Sequence, residues 1–104
     1  MTRPKLFAAG GAHIDRRGRI SGAYVAGASN PGIMREEAGG GAFNALRNAV
    51  GRGCAGTLLS TRGGDMAGEA VARAVREAGI ADLSATFLDR ATPSYTAFVE
   101  ANGD

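Results

Sequence analysis

Apolar residues fall in short runs separated by turn signals, and their spacing changes along the chain. Residues 5–9, KLFAA, read as a buried strand that runs into Gly10-Gly11. Residues 20–25 and 34–37 are only half apolar, so they predict two short solvent-facing strands, with the turn cluster GASNPG at 27–32 between them. From Ala42 the apolar positions are Ala42, Ala45, Leu46, Ala49 and Val50. That spacing predicts a helix with one apolar stripe, stopped by Gly51 or Gly53. Residues 55–61, AGTLLST, predict a second buried strand. Asp65 is a good N-cap for a second helix. Its stripe is Ala67, Ala70, Val71, Ala74, Val75 and Ala78, and Gly79 is its stop. Residues 83–88 and 94–100 predict two more strands.

Strands alternating with helices argue for a parallel sheet with crossover helices. The two weak strands sit outside that alternation, as an insertion after the first strand. Asn102-Gly103 is a hairpin signal after the last strand, yet the sequence stops at Asp104. The sequence grammar favours a chain cut inside a hairpin of a larger fold over a frayed tail.

Composition narrows the class. A chain of 104 residues allows one domain, and 44% hydrophobic residues exclude a disordered tail. The 17 glycines follow no three-residue period, which excludes collagen. No apolar run approaches the roughly 20 residues needed to cross a bilayer. The apolar part of MTRPKLFAAGG is too short for a secretory signal, so a cytoplasmic location is expected. A single cysteine, Cys54, cannot build a disulfide framework. Eleven Arg and one Lys face 10 acidic residues, a net charge of +2. The arginines are scattered, with RRGR at 16–19 the only dense group, so no nucleic-acid partner is expected. Ala and Gly bury little area each, so the chain is expected to be marginally stable alone or to need a partner.

Three features can carry chemistry. Gly39-Gly40-Gly41 leads into a helix, and glycines there let a backbone and a helix N-terminus approach a phosphate or a polyhydroxylated ligand. The same glycines also suit a plain strand-to-helix turn. No GK[ST] follows, so this is not a P-loop. Asn44 stands where a dinucleotide fingerprint needs a third Gly. Asp15, just beyond the first strand, lies where open α/β sheets bind ligands. Its carboxylate can accept from two neighbouring sugar hydroxyls, or it can serve as a turn residue before RRGR. His13 beside it is either a structural hydrogen-bonder or a ligand contact. Asn44, one turn into the helix and pointing back at the Gly loop, could match a hydroxyl as donor and acceptor, or be an ordinary polar helix position. One His and one Cys give no zinc spacing.

Taken together, GGAHID at 10–15 and GGGAFNALRNAVGRGCAGTLLSTRGGDMAG at 39–68 resemble the N-terminal signature of the ribokinase-like (PfkB-type) carbohydrate kinases. Within that family, SNPG at 29–32 and TPSYTAFVEANGD at 92–104 look most like pseudouridine kinases. The resemblance covers essentially the whole chain. It implies an α/β, ribokinase-like three-layer (Rossmann-like) fragment in one unit, 1–104, with a small β lid drawn from 16–38 and 94–104. It implies an ATP-dependent transfer of phosphate to a sugar or nucleoside hydroxyl, with ATP and Mg2+ as cofactors of the whole enzyme. By position, Asp15, Gly40 and Asn44 would bind the sugar, with His13, Gly39 and Gly41 beside them. His13 departs from the Asn common in the family, and Gly41 and Phe43 differ from the ribokinase version of the Gly loop. The family's catalytic Asp lies in a second Gly-rich motif, which this sequence lacks, since RGGD at 62–65 belongs to the first signature. The chain alone is therefore expected to have no kinase activity, and to self-associate through lid strands or the sheet edge. A non-catalytic sugar-binding or assembly module remains a second reading. A small nucleotide-binding Rossmann unit is a third, but residues 55–64 lack the ribose-binding acid it needs.

Overall fold

The computed structural model describes residues 3–102. Strand β1, Lys5–Ala9, pairs in parallel with β4, Ala55–Leu59, which pairs in parallel with β6, Ala81–Asp82. Between β1 and β4 the chain forms β2, His13–Ile20, and β3, Gly32–Gly39, and then helix α1, Gly41–Gly51. After β4 come β5, Thr61–Gly63, and helix α2, Met66–Glu77. Strand β7, Ala85–Phe87, lies parallel to β5. Strand β8, Ser94–Val99, joins β2 in parallel, while β3 joins β2 in antiparallel, so β2 is the centre of a separate sheet, β3-β2-β8. That sheet gathers the strands expected to form the lid. The Cα radius of gyration is 16.5 Å, well above the roughly 13 Å of a compact 100-residue domain, because the lid projects from the body.

The core is small and one-sided. Leu46 and Phe43 from α1, Val71 and Val75 from α2, Leu58 from β4, Ile80, Ala12 and Ile14 form one buried cluster. Both helices therefore cover the same face of the parallel sheet. The described residues make two layers and a lid, and the third layer of the expected architecture is not among them. Phe7 and Leu59, on the other sheet face, are exposed. Hence β1, expected to be buried, has only Ala8 half-buried.

Several predicted boundaries moved. The expected strand at 20–25 is largely a turn, and the strand lies earlier, at 13–20. Its sequence, HIDRRGRI, looks too polar for a central strand. Ladders on both sides satisfy its backbone, however, and one of its faces is open to water. The 21–31 turn closes where Ser21 N donates to Pro31 O and Asn30 holds Val25 N and O through its side-chain amide. The weak strand at 34–37 extends to 32–39. The run 55–61 breaks at Ser60, whose N donates to Ser84 Oγ at 3.0 Å, and the strand expected at 83–88 shortens to β7 at 85–87, with the unpredicted β6 before it at 81–82. On α1 the buried stripe uses Phe43 rather than Ala45, which is exposed. Gly103, half of the hairpin signal, lies outside the described residues.

Asp65 caps α2 as expected and also anchors the lid. Its Oδ1 accepts from Gly68 N at 2.8 Å and from the Thr92 hydroxyl at 2.6 Å, while Oδ2 accepts from Thr92 N at 2.9 Å. Thr92 leads directly into β8. These bonds, those from Thr92 foremost, pull the Asp65 carboxyl from 3.8 down to about 2. A lowered folded-state pKa gives stability that is present above pH 3.8 and is lost as pH falls toward about 2. The Asp65→Asn variant should therefore be less stable at pH 7 and show a shallower loss between pH 4 and pH 2, read by thermal melts across that range. An acid limb identical to wild type would contradict this.

Candidate functional site

Strand periodicity assembles the site. In β2 alternate residues face opposite ways, so Ile14 enters the core while His13 and Asp15 share the other face. His13 Nε2 and Asp15 Oδ1 are 2.8 Å apart, and both side chains are half-buried. On neighbouring β3, His13 is opposite Gly39 and Asp15 opposite Glu37. The Asp15 carboxylate lies across Gly39, in the space a Cβ there would occupy. Gly39 therefore makes room for the carboxylate.

Gly40 has φ +105°, and a Cβ on it would strike the Gly11 carbonyl and Ala12. This close approach lets Phe43 N donate to Gly11 O at 3.2 Å, which ties the start of α1 to the β1–β2 connection. No side chain caps α1; Phe43 N is met by the Gly11 carbonyl, and Gly41 and Ala42 supply the other first-turn N–H groups beside this loop. A Cβ at Gly11 would sit 3.7 Å from His13 Nδ1 and 4.0 Å from Gly41 N. His13, Asp15, Gly39, Gly40 and Gly41 are thus brought together. Asn44 lies one turn further on. Its Oδ1 accepts from Arg47 at 2.9 Å, and Arg47 is itself placed 5.2 Å over the Phe43 ring. The Asn44 carbonyl is therefore engaged.

Two cavities meet at the His13–Asp15 pair. One of about 530 Å³ lies past the C-terminal ends of β1 and β4, lined by Gly10, Gly11, His13, Ser60 and Thr61 among others. The second, of about 500 Å³, lies on the lid face and is lined by Asp15, Arg17, Arg35, Glu37 and Tyr95. The sequence reading missed these last four. The signal was present: Arg17 is two residues from Asp15, and period two puts both on one face. Starting the strand at residue 20 concealed it. On this face like charges oppose each other, Asp15 against Glu37 and Arg17 against Arg35, an arrangement that costs stability in an empty sheet. Among the described residues no group of His, Cys, Asp and Glu side chains gathers to hold a metal, and no helix is long and apolar enough to cross a membrane.

Comparison with solved structures decides the architecture. A carbohydrate kinase from Agrobacterium tumefaciens superposes with TM-score 0.87 at 55% identity, covering 97% of this chain and 33% of that one. The fold is ribokinase-like. Ribokinase from Cryptococcus neoformans, solved with ADP, matches at TM-score 0.74 and 22% identity, over 99% of this chain and 33% of that chain. Phosphofructokinase-2 from Escherichia coli, solved with fructose-6-phosphate, matches at TM-score 0.76 and 19% identity, over all of this chain and 34% of that one. At such identities the last two show the fold alone. No family model and no curated protein matches the chain. The chain spans about a third of the length of the solved kinases it matches.

Proposed function

We propose that this ribokinase-like unit is the sugar-binding and lid part of an ATP-dependent kinase, which transfers a phosphoryl group to a hydroxyl of a sugar or nucleoside. The observation that carries this reading is the Asp15 carboxylate, steadied by His13 and seated over Gly39 beside the uncapped start of α1. A carboxylate accepts from two adjacent hydroxyls, and bare helix N–H groups donate to a third oxygen. The SNPG turn and the TPSYTAFVEANGD segment favour pseudouridine or a ribose-type sugar as substrate. Tyr95 on the lid face offers a ring on which a base or sugar could stack.

Phosphoryl transfer rests on positioning and charge stabilisation around the transferring group. The residues described here supply the acceptor side only. ATP and Mg2+ would serve the whole enzyme. The 104-residue chain is accordingly inactive alone, and the enzyme works in the cytoplasm. Self-association would use the lid, where Met34 is 50% and Phe98 66% exposed on the face away from Asp15. A monomer in sedimentation at micromolar concentration would count against that contact.

Thermal melts with pseudouridine and with ribose test the reading. Binding to the folded state raises the melting temperature as ligand exceeds Kd. The expected result is a saturable rise with one of them and no ADP production by the isolated chain. Neither ligand shifting the melt would overturn the sugar-site reading. Substrate-dependent ADP production by this chain would overturn its inactivity.

A further inference from the structure

Arg62 stands apart from the sugar site and carries an unmet demand. It lies on β5 with 7% of its surface exposed, and its Nη1 donates to Asp82 Oδ2 at 2.7 Å. Nε and Nη2 are buried and have no hydrogen-bond partner among the described residues. These two nitrogens form the side-on edge of the guanidinium, the fork that matches two oxygens of one carboxylate or phosphate. Buried donors are rarely left unpaired in native proteins, and an unmet one calls for an explanation.

The surroundings supply one. Arg62 lines a cavity of about 290 Å³ between β5, β7 and α2, together with Thr86, Glu69, Arg73 and Arg76. Thr86 is the cross-strand partner of Arg62. Glu69, Arg73 and Arg76 recur at helical spacing along one wall. Asp65 also borders the cavity, but both its oxygens are engaged by Thr92 and Gly68. Asp82 pairs with Arg62, while Arg73 and Arg76 face the cavity together with two carboxylates, Glu69 and the hydrogen-bonded Asp65. At roughly 30 Å³ per water, the space holds a tetrahedral oxyanion and several waters.

We propose that this cavity binds a phosphate group, with the Nε–Nη2 edge of Arg62 as its fork and Arg73 and Arg76 as further cationic walls. The exposed side chains of Glu69, Arg73 and Arg76 are the parts that move to admit it. The site is separate from the His13–Asp15 pair and does not depend on the kinase reading.

The test titrates inorganic phosphate into the 104-residue chain by calorimetry and thermal melts, against acetate and against chloride at matched ionic strength. Phosphate should bind saturably and raise the melting temperature, chloride should not, and acetate should be weaker. Arg62→Met should abolish the phosphate response. Arg73→Gln with Arg76→Gln, both exposed and remote from the core, should weaken binding at least about tenfold with the fold intact, which keeps the test decisive if Arg62→Met fails to fold. Glu69→Gln should tighten binding. Equal effects of chloride and phosphate, or a phosphate response untouched by the double Gln variant, would overturn the proposal. Absence of any phosphate binding would mean that water alone serves the Arg62 edge, and would overturn it as well.

Discussion

Replacing Asp15 by Ala should abolish sugar-dependent stabilisation while leaving the fold in place. Asp15 is half-buried on the lid face and belongs to no core cluster, so its loss leaves no cavity in the interior. Its removal also relieves the opposed charge of Glu37 across the rung. Two charge-assisted hydrogen bonds to sugar hydroxyls would vanish, each worth about 1.5–3 kcal/mol. Affinity should fall by a factor on the order of 100 or more, at little cost to the ligand-free melting temperature. Asp15→Asn keeps the shape and should retain part of the binding. His13→Ala should weaken binding less, since His13 orients Asp15 through their 2.8 Å contact. Calorimetry with the ligand that stabilises the wild type reads all three. Unchanged affinity in Asp15→Ala would remove the carboxylate from the site.

Gly40→Val should have the largest effect of any single change at the loop, acting on stability and binding together. The residue sits at φ +105°, where a branched side chain is strained, and the Cβ would meet the Gly11 carbonyl. Strain and the forced separation of the two backbones together cost about 2–5 kcal/mol. That is a large share of the stability of a small domain. The Phe43–Gly11 hydrogen bond would be lost with it. Denaturant unfolding should show a lower midpoint with an unchanged slope. Gly41→Ala is the control: a Cβ there meets nothing within 4 Å, and it should be tolerated.

Much of this was legible in the sequence, for definite reasons. The helices were readable because Leu46, Val71 and Val75 recur at helical spacing and carry the core. The Asp65 cap was readable because an N-cap is a local device. The lid was read too late along the chain, because HIDRRGRI pairs through its backbone and leaves no apolar stripe to follow. The nearness of His13, Asp15 and Gly39 depends on the β2–β3 register, which no local pattern reveals. The Arg47 contact that holds Asn44 is a side-chain choice between two adequate partners, and spacing does not settle such choices. Arg62 read as part of an RGGD motif, and its burial beside Asp82 depends on strands joined from distant parts of the chain.

The parallel pairing of β2 with β8 sets a schedule for assembly. Ile14 waits for Ser94, 80 residues later in the register. At about 5–20 residues per second this is a delay of roughly 4–16 s on a ribosome. Once β3 is made, β2 and β3 wait as a hairpin with an unpaired edge, which is marginal in water. The two helices and β4 are complete well before β8 emerges. The body therefore folds first, Asp65 is in place to catch Thr92, and the lid closes last.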